Sequence, residues 1–224
     1  MNLCWKLSLV EHGFSSPALL SNYDEERLPV IKDMLGITTI AYNQIYNGIG
    51  AAHRDKFLEL RQFGVNYRWS SIVSDDKPSQ KKVGTYGASS DEIHAGDRAP
   101  DASGLVNIKT GSVNTIYQYI KSSRHTVLLF ASFIDEVVPF LDVLEKTPTN
   151  TFQSVVILDS CKDVDNAPTK GMAINVLVDS DNNARKSYNC YKDKRIIIIR
   201  PDGIIGALTS SISGIQKYLG FIFI

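Results

Sequence analysis

Apolar residues recur at helical spacing from the first turn of the chain. Leu3, Leu7 and Val10 share one face, and Gly13 is placed to end a helix that begins at residue 2 or 3. Ser16-Pro17 supplies an N-cap followed by proline at the first helical position, which predicts a second helix over SPALLSNY. Asp24, Glu25 and Glu26 then place negative charge where the macrodipole of a third helix favours it. Leu28, Ile31, Leu35, Thr38, Tyr42 and Ile45 carry the apolar face of that helix to about Asn47-Gly48, with Pro29 in its early turns. Leu3, Trp5, Leu7, Leu28, Ile31 and Tyr42 therefore form apolar faces in a helical segment, residues 1–63, that has no strand of its own.

From about Gly64 the pattern changes. Ser, Asp, Lys, Gly and Pro dominate residues 64–93, apart from the alternation Val65-Tyr67-Trp69, and predict a linker or an arm extended over another surface. Residues 94–224 read as α/β. TVLLFASF (126–133) and SVVILDS (154–160) are continuous apolar runs suited to strands buried on both faces, with a helix over Asp135 to Lys146 between them. Strand–helix–strand implies a parallel crossover. INVLVDS and RIIIIRPDGIIGALTS add strands, and Arg200-Pro201-Asp202-Gly203 is a hairpin turn. DSDNN (179–183) also reads as a hairpin turn, and a serine-capped helix through Ile215, Tyr218 and Leu219 closes the chain. This order is that of a thioredoxin-like domain.

Composition narrows the function. The 224 residues carry 24 basic and 24 acidic side chains, and a net charge of zero argues against a nucleic-acid partner. Lys81-Lys82 and Lys192 to Arg195 read as solvated surface. Cys4, Cys161 and Cys190 are odd in number and unpatterned, which fits a reducing, cytoplasmic setting. No apolar run reaches the ~20 residues that a membrane-spanning helix needs.

A thiol oxidoreductase needs cysteine where the first long strand meets its helix, because the helix N-terminus lowers the thiol pKa. That place reads Ala131-Ser132-Phe133-Ile134-Asp135-Glu136. Cys161, after the next strand, reads as a structural thiol. Asn47-Gly48-Ile49-Gly50 follows a helix rather than a strand, and His53 holds the third position of the would-be dinucleotide fingerprint. Asp179, Asp181 and Asn183 match the start of a calcium loop, but Ala184 and Cys190 break it. His12, His53, His94 and His125 lack the i, i+4 pairing of a metal site. The residues themselves thus nominate no catalytic, cofactor-binding or metal-binding side chain.

Three stretches nevertheless resemble one family. MNLCWKLSLVEHG, with Leu19-Leu20, Tyr23, Glu26-Arg27 and Pro29 after it, is similar to the NLxWKL and LLxxYxxER.P segments of the FAD-dependent aromatic-ring hydroxylases, the flavoprotein monooxygenases of phenols. HAGDRAPDASGLV (94–106) and RIIIIRPDGIIGAL (195–208) resemble the start and the last hairpin of that family's thioredoxin-like C-terminal domain, which lacks redox cysteines. The resemblance implies FAD and NAD(P)H as cofactors and an aromatic small molecule as substrate. It also implies that the flavin and substrate sites lie in parts of the family this chain does not match. No cofactor is expected to bind this chain alone, no site residue is carried over, and a homo-oligomer is an open expectation. Met1 reads as an internal position of a longer protein. The alternative is a redox-inert thioredoxin-like scaffold or subunit-contact module.

Overall fold

The computed structural model describes residues 1–46, 64–78, 84–86, 92–160, 174–190 and 195–224. Its helices are α1 (Asn2–Glu11), α2 (Ala18–Tyr46), α3 (Val138–Leu144), α4 (Asn183–Ser187) and α5 (Ile212–Ile222). Its strands are β1 (Ser74–Asp75), β2 (Leu105–Asn107), β3 (Val113–Asn114), β4 (His125–Ala131), β5 (Phe152–Leu158), β6 (Ile174–Val178), β7 (Arg195–Ile199) and β8 (Ile205–Thr209). All eight strands form one sheet in the order β1-β8-β7-β4-β5-β6-β2-β3.

The middle of the sheet follows the sequence pattern. β4 and β5 pair in parallel across α3, β6 adds in parallel to β5, and β7–β8 is an antiparallel hairpin beside β4. Every residue of β4 and β5 is buried, because strand periodicity sends alternate side chains to opposite faces and both faces are covered. Val127, Leu129, Ile196 and Ile198 join the core under α1, α3 and α5. Leu128, Phe130, Ile197 and Ile199 join a second core with Ala99, Leu105, Ile116 and Tyr188. The strand–helix–strand, hairpin, helix arrangement is thioredoxin-like, widened by short strands at both edges.

Besides the short strands β2 and β3, which the sequence pattern does not show, three elements differ from it. The expected second and third helices are one continuous helix, α2, with Pro29 inside it. Proline cannot donate to the carbonyl four residues back. The Trp69 indole N–H donates to that carbonyl, Glu25 O, at 3.0 Å, so the helix runs on with the acceptor satisfied. DSDNN is not a hairpin turn. Asn182 takes a left-handed φ of 56° and starts α4, and the chain returns across β4 and β5 to β7. The segment after Gly64 also contributes a strand, since β1 lies parallel on the edge of β8.

α1 and the start of α2 lie on the sheet rather than apart from it. Trp5 is buried in the core with Val127 and Ile198, and Ser15 Oγ donates to Ile222 O at the end of α5. Leu3, Leu7, Leu28 and Tyr42 stay exposed, and Ile31 is half-buried. The apolar residues of α1 and α2 are thus divided between a covered and an uncovered face.

Gly206 in β8 lies directly beneath the fully buried ring of Tyr218, where a Cβ would stand 2.4 Å from the hydroxyl oxygen and 2.6 Å from Cζ. With no free volume to receive the ring, Gly206→Ala lowers stability by about 1–3 kcal/mol, read as a fall in the urea midpoint at unchanged slope.

Candidate functional site

Asn2, Trp5, Lys6, Glu26, Arg200 and Asp202 meet in one buried cluster between α1, α2 and the β7–β8 turn. Side chains of Lys6, Glu26 and Arg200 are wholly inaccessible to solvent. Arg200 grips Glu26 with both forks, Nη1 to Oε1 at 2.6 Å and Nη2 to Oε2 at 3.0 Å, and turns Nε and Nη2 onto Asp202 at 3.1 and 2.5 Å. Lys6 Nζ reaches Glu26 Oε2 at 2.9 Å, Asn22 Oδ1 at 2.7 Å and Asn2 Oδ1 at 3.0 Å. Asn2 Nδ2 and Ser70 Oγ complete the Glu26 carboxylate, and Trp5 Nε1 donates to Asp202 at 3.3 Å. The guanidinium carbon also lies 5.2 Å from the Trp5 ring centroid and 5.7 Å from that of Tyr67.

Local structure explains the convergence. One helical turn separates Asn2 from Lys6, so both reach the same face of α1. The Arg200–Gly203 turn, with Gly203 at φ 79°, bends Asp202 back over Arg200. Two cations and two carboxylates leave the cluster formally neutral. Burial alone would raise the Glu26 carboxyl, but Arg200 and then Lys6 outweigh it and hold it at about 2. With every polar group occupied and solvent excluded, the cluster is a clasp and offers no place for a substrate.

Behind Trp5, His125 is buried between the rings of Trp5 (5.3 Å between centroids) and Phe152 (4.9 Å). Burial, aided by the charge of Arg200, lowers its pKa to about 3, so the imidazole is neutral in the folded protein.

An open cleft of about 750 Å³ lies beside the clasp, between α2, the 68–75 segment, His94-Ala95 and Lys217 of α5. Asp75 Oδ2 accepts from Ala95 N at 3.1 Å and meets His94 Nδ1 at 3.2 Å. Arg68 is bidentate on Asp97, at 2.6 and 2.7 Å, and Thr85 Oγ1 donates to Asp33 at 2.6 Å. Among the residues lining the cleft no cysteine stands beside this His–carboxylate contact as a nucleophile.

At the opposite end, where a thioredoxin-like enzyme would carry its thiol, Ser132 Oγ donates to Asp159 at 3.0 Å. Arg185 fills the space, pairing with Asp159 and donating Nη2 to Ala131 O at 2.8 Å. Cys190, below it, is buried, and burial pushes its thiol up to about 12. Cys161, His53 and the Asn47–Gly50 loop lie outside the described residues. Asp179, Asp181 and Asn183 do not converge as ligands: Asp179 accepts from Arg185 N and Asn183 donates to Ser103 O. Among the described residues no three His, Cys, Asp or Glu side chains gather as a metal site, and no helix is long and apolar enough to cross a membrane.

Sequence reasoning quoted Asn2, Trp5, Lys6, Glu26, Arg200 and Asp202 in separate motifs without joining them. The signal was the charge inside those motifs: Lys6 and Glu26 interrupt apolar helix faces, and Arg200 ends a run of four isoleucines. Arg68, Trp69 and Asp75 of the cleft carried no such signal.

The fold and the clasp define an α/β, thioredoxin-like unit tied to two helices. No family model matches the chain. A flavin-dependent monooxygenase of Mycobacteroides abscessus is 26% identical over 219 residues, 97% of this chain and 34% of that protein. Pentachlorophenol 4-monooxygenase of Sphingobium chlorophenolicum is 32% identical over 136 residues, 57% of this chain and 23% of that protein. The solved structure of the flavin-dependent monooxygenase PieE, in complex with FAD and substrate, superposes on 99% of this chain and 42% of its own, with a TM-score of 0.64 at 14% identity. The chain is thus similar to flavin-dependent monooxygenases, and it spans about a third of the length of the Mycobacteroides abscessus relative.

Both buried titrations destabilise the fold in acid. Glu26 falls from 4.5 to about 2 on folding, so its contribution is present above pH 4.5 and is lost as pH falls towards 2. His125 falls from 6.5 to about 3, so the unfolded chain binds the extra proton between those values. Stability therefore drops by about 2 kcal/mol between pH 7 and pH 5 from His125 alone. Urea titrations of His125→Phe lose that slope and keep the one below pH 4.5. Glu26→Gln, which leaves Arg200 and Lys6 uncompensated, costs about 3–5 kcal/mol at pH 7 in the same assay.

Proposed function

We propose that this chain is the C-terminal portion of an FAD-dependent monooxygenase that hydroxylates phenolic or related aromatic rings at the expense of NAD(P)H. The observation that carries the reading is the clasp. Residues from two of the stretches that resemble the family, Lys6 and Glu26 from the first and Arg200 and Asp202 from the last, are brought within hydrogen-bond distance of one another, so what the resemblance joins in sequence has one structural task. Residues 1–63 are then the end of the flavin-binding part, 64–93 an arm and 94–224 the thioredoxin-like domain, in a cytoplasmic protein.

The described residues do not fit FAD. The cleft lining mixes Asp33 and Asp75 with Lys217, its Arg68 is taken up by Asp97, no glycine-rich turn opens onto it among the described residues, and the N-terminus of α5 is already capped by its own Ser211. We derive no flavin step from this chain. Its role in the reaction is to hold the edge of the flavin-binding part against a rigid sheet. The end of the sheet where Arg185 pairs with Asp159 and serine stands at the strand–helix turn also favours a second reading, a redox-inert scaffold, which serves without a flavin partner.

Two measurements separate these. Purified chain mixed with FAD stays without stoichiometric 450 nm absorbance, and one bound FAD per chain overturns the reading. A chimera in which this chain replaces the matching third of the Mycobacteroides abscessus relative binds FAD, and adding a phenol stimulates its NAD(P)H oxidation. A folded chimera that holds FAD but shows no phenol-dependent turnover leaves the scaffold reading.

A further inference from the structure

His125, the first residue of β4, is a titratable side chain enclosed by rings from four directions. Trp5 of α1 stands 5.3 Å away between centroids, Phe152 of β5 4.9 Å, Tyr218 of α5 5.9 Å, and Phe223, just past α5, 6.3 Å. The charges nearest this cage belong to the clasp. Arg200 opposes a proton on the imidazole and Asp202 favours one, while Lys6 of α1 and Glu26 of α2 are paired with each other. Phe152 and Phe223 bring no charge, and α5 contributes the Tyr218 hydroxyl, whose proton burial holds in place.

An imidazolium in this cage needs water, and the four walls do not yield equally. Phe152 stands directly opposite His125 in the seven-residue parallel ladder of β4 and β5. Tyr218 is fully buried against Gly206. α1 is held less firmly, since Trp5 and Lys6 are the buried residues among its ten. Opening is drawn from elements of that kind, with few buried contacts.

The joint behind α1 is suited to a swing. Gly13 takes a φ of 71°, with open space where a Cβ would stand. Just past it the chain is fixed to the end of α5: Ser15 Oγ donates to Ile222 O, and Ile224 N donates to Phe14 O at 3.2 Å. Movement is thereby confined to the α1 side of Gly13. Lifting α1 also strands no charge in the interior, because Glu26 keeps both bonds from Arg200 while Lys6 passes into water.

We infer that α1 is an acid-released lid, which swings on Gly13 away from His125 when the imidazole takes a proton, while α2 and the sheet stay folded. Acid thereby uncouples the first helix from the sheet without unfolding the rest. The lid works in either functional reading, because it uses only α1, the cage and the clasp.

Amide hydrogen exchange of the purified chain at pH 7 and pH 5, expressed as protection factors, tests it. The amides of residues 6–11 are less protected than those of β4 and β5 by roughly tenfold or more. Between pH 7 and pH 5 their protection falls about twentyfold, the factor by which a histidine held at about 3 in the closed form and released to 6.5 in the open form shifts the equilibrium. Glu26 stays ionised over that range, so His125→Phe abolishes the fall. His125→Leu serves if the phenylalanine variant does not fold. Residues 6–11 exchanging together with β4 and β5 overturn the inference, because His125 is then reached by global unfolding alone. Protection of α1 that is the same at both pH values overturns it too, as does a fall that the variants retain.

Discussion

Arg200 and Glu26 are 174 residues apart in the chain, and their two-pronged contact in the absence of water is what the rest of the structure depends on. Such a pair returns little net stability over an apolar contact of the same volume, because both ions are stripped of solvent. What it does is exclude alternatives. Any other seating of α1 and α2 leaves a buried carboxylate or guanidinium without its partner, at a cost of several kcal/mol. Trp5 and Lys6 are then carried into place, and Trp5 closes the aromatic cage that keeps His125 neutral.

The same docking explains how a proline-containing helix of 29 residues runs without a break. Glu26 is pinned by Arg200, Arg27 donates to the Tyr67 hydroxyl at 2.9 Å, and Trp69 takes up the Glu25 carbonyl that Pro29 leaves free. The segment after Gly64 serves as a strap. It satisfies α2 with its side chains and extends the sheet with β1. The two ends of the molecule thereby differ in character: one holds the helices and an open cleft, and at the other Arg185 lies over the strand ends, paired with Asp159 and bonded to Ala131 O.

Much of the α/β part was legible because its signals are local. The unbroken apolar runs of β4 and β5, the Pro-Asp-Gly turn and the serine cap of α5 each depend on residues within a few positions. The readings that missed did so for non-local reasons. Splitting α2 between Tyr23 and Asp24 followed the acidic run that suits a helix start, but a helix held by tertiary contacts runs straight through it. DSDNN reads as a hairpin from its turn residues, and only the placement of β7 beside β4, away from β6, makes it the start of α4. Trp5 looked like part of an uncovered face because nothing within ten residues shows the sheet beneath it.

The sequence by itself therefore determined the central strands β4 to β8, their thioredoxin-like order, the absence of a thiol at the strand–helix turn where a thioredoxin-like enzyme needs one, and the motifs that resemble flavoprotein monooxygenases. Those follow from period, composition and short spacing. Only the tertiary structure decided that Lys6, Glu26, Arg200 and Asp202 are one neutral cluster, and that Trp5 is covered while Leu28, Leu35 and Tyr42 are not. The physical reason is that burial of charge is paid over the whole fold: whether a lysine or an arginine is surface or core depends on which carboxylate, many residues away, arrives to meet it.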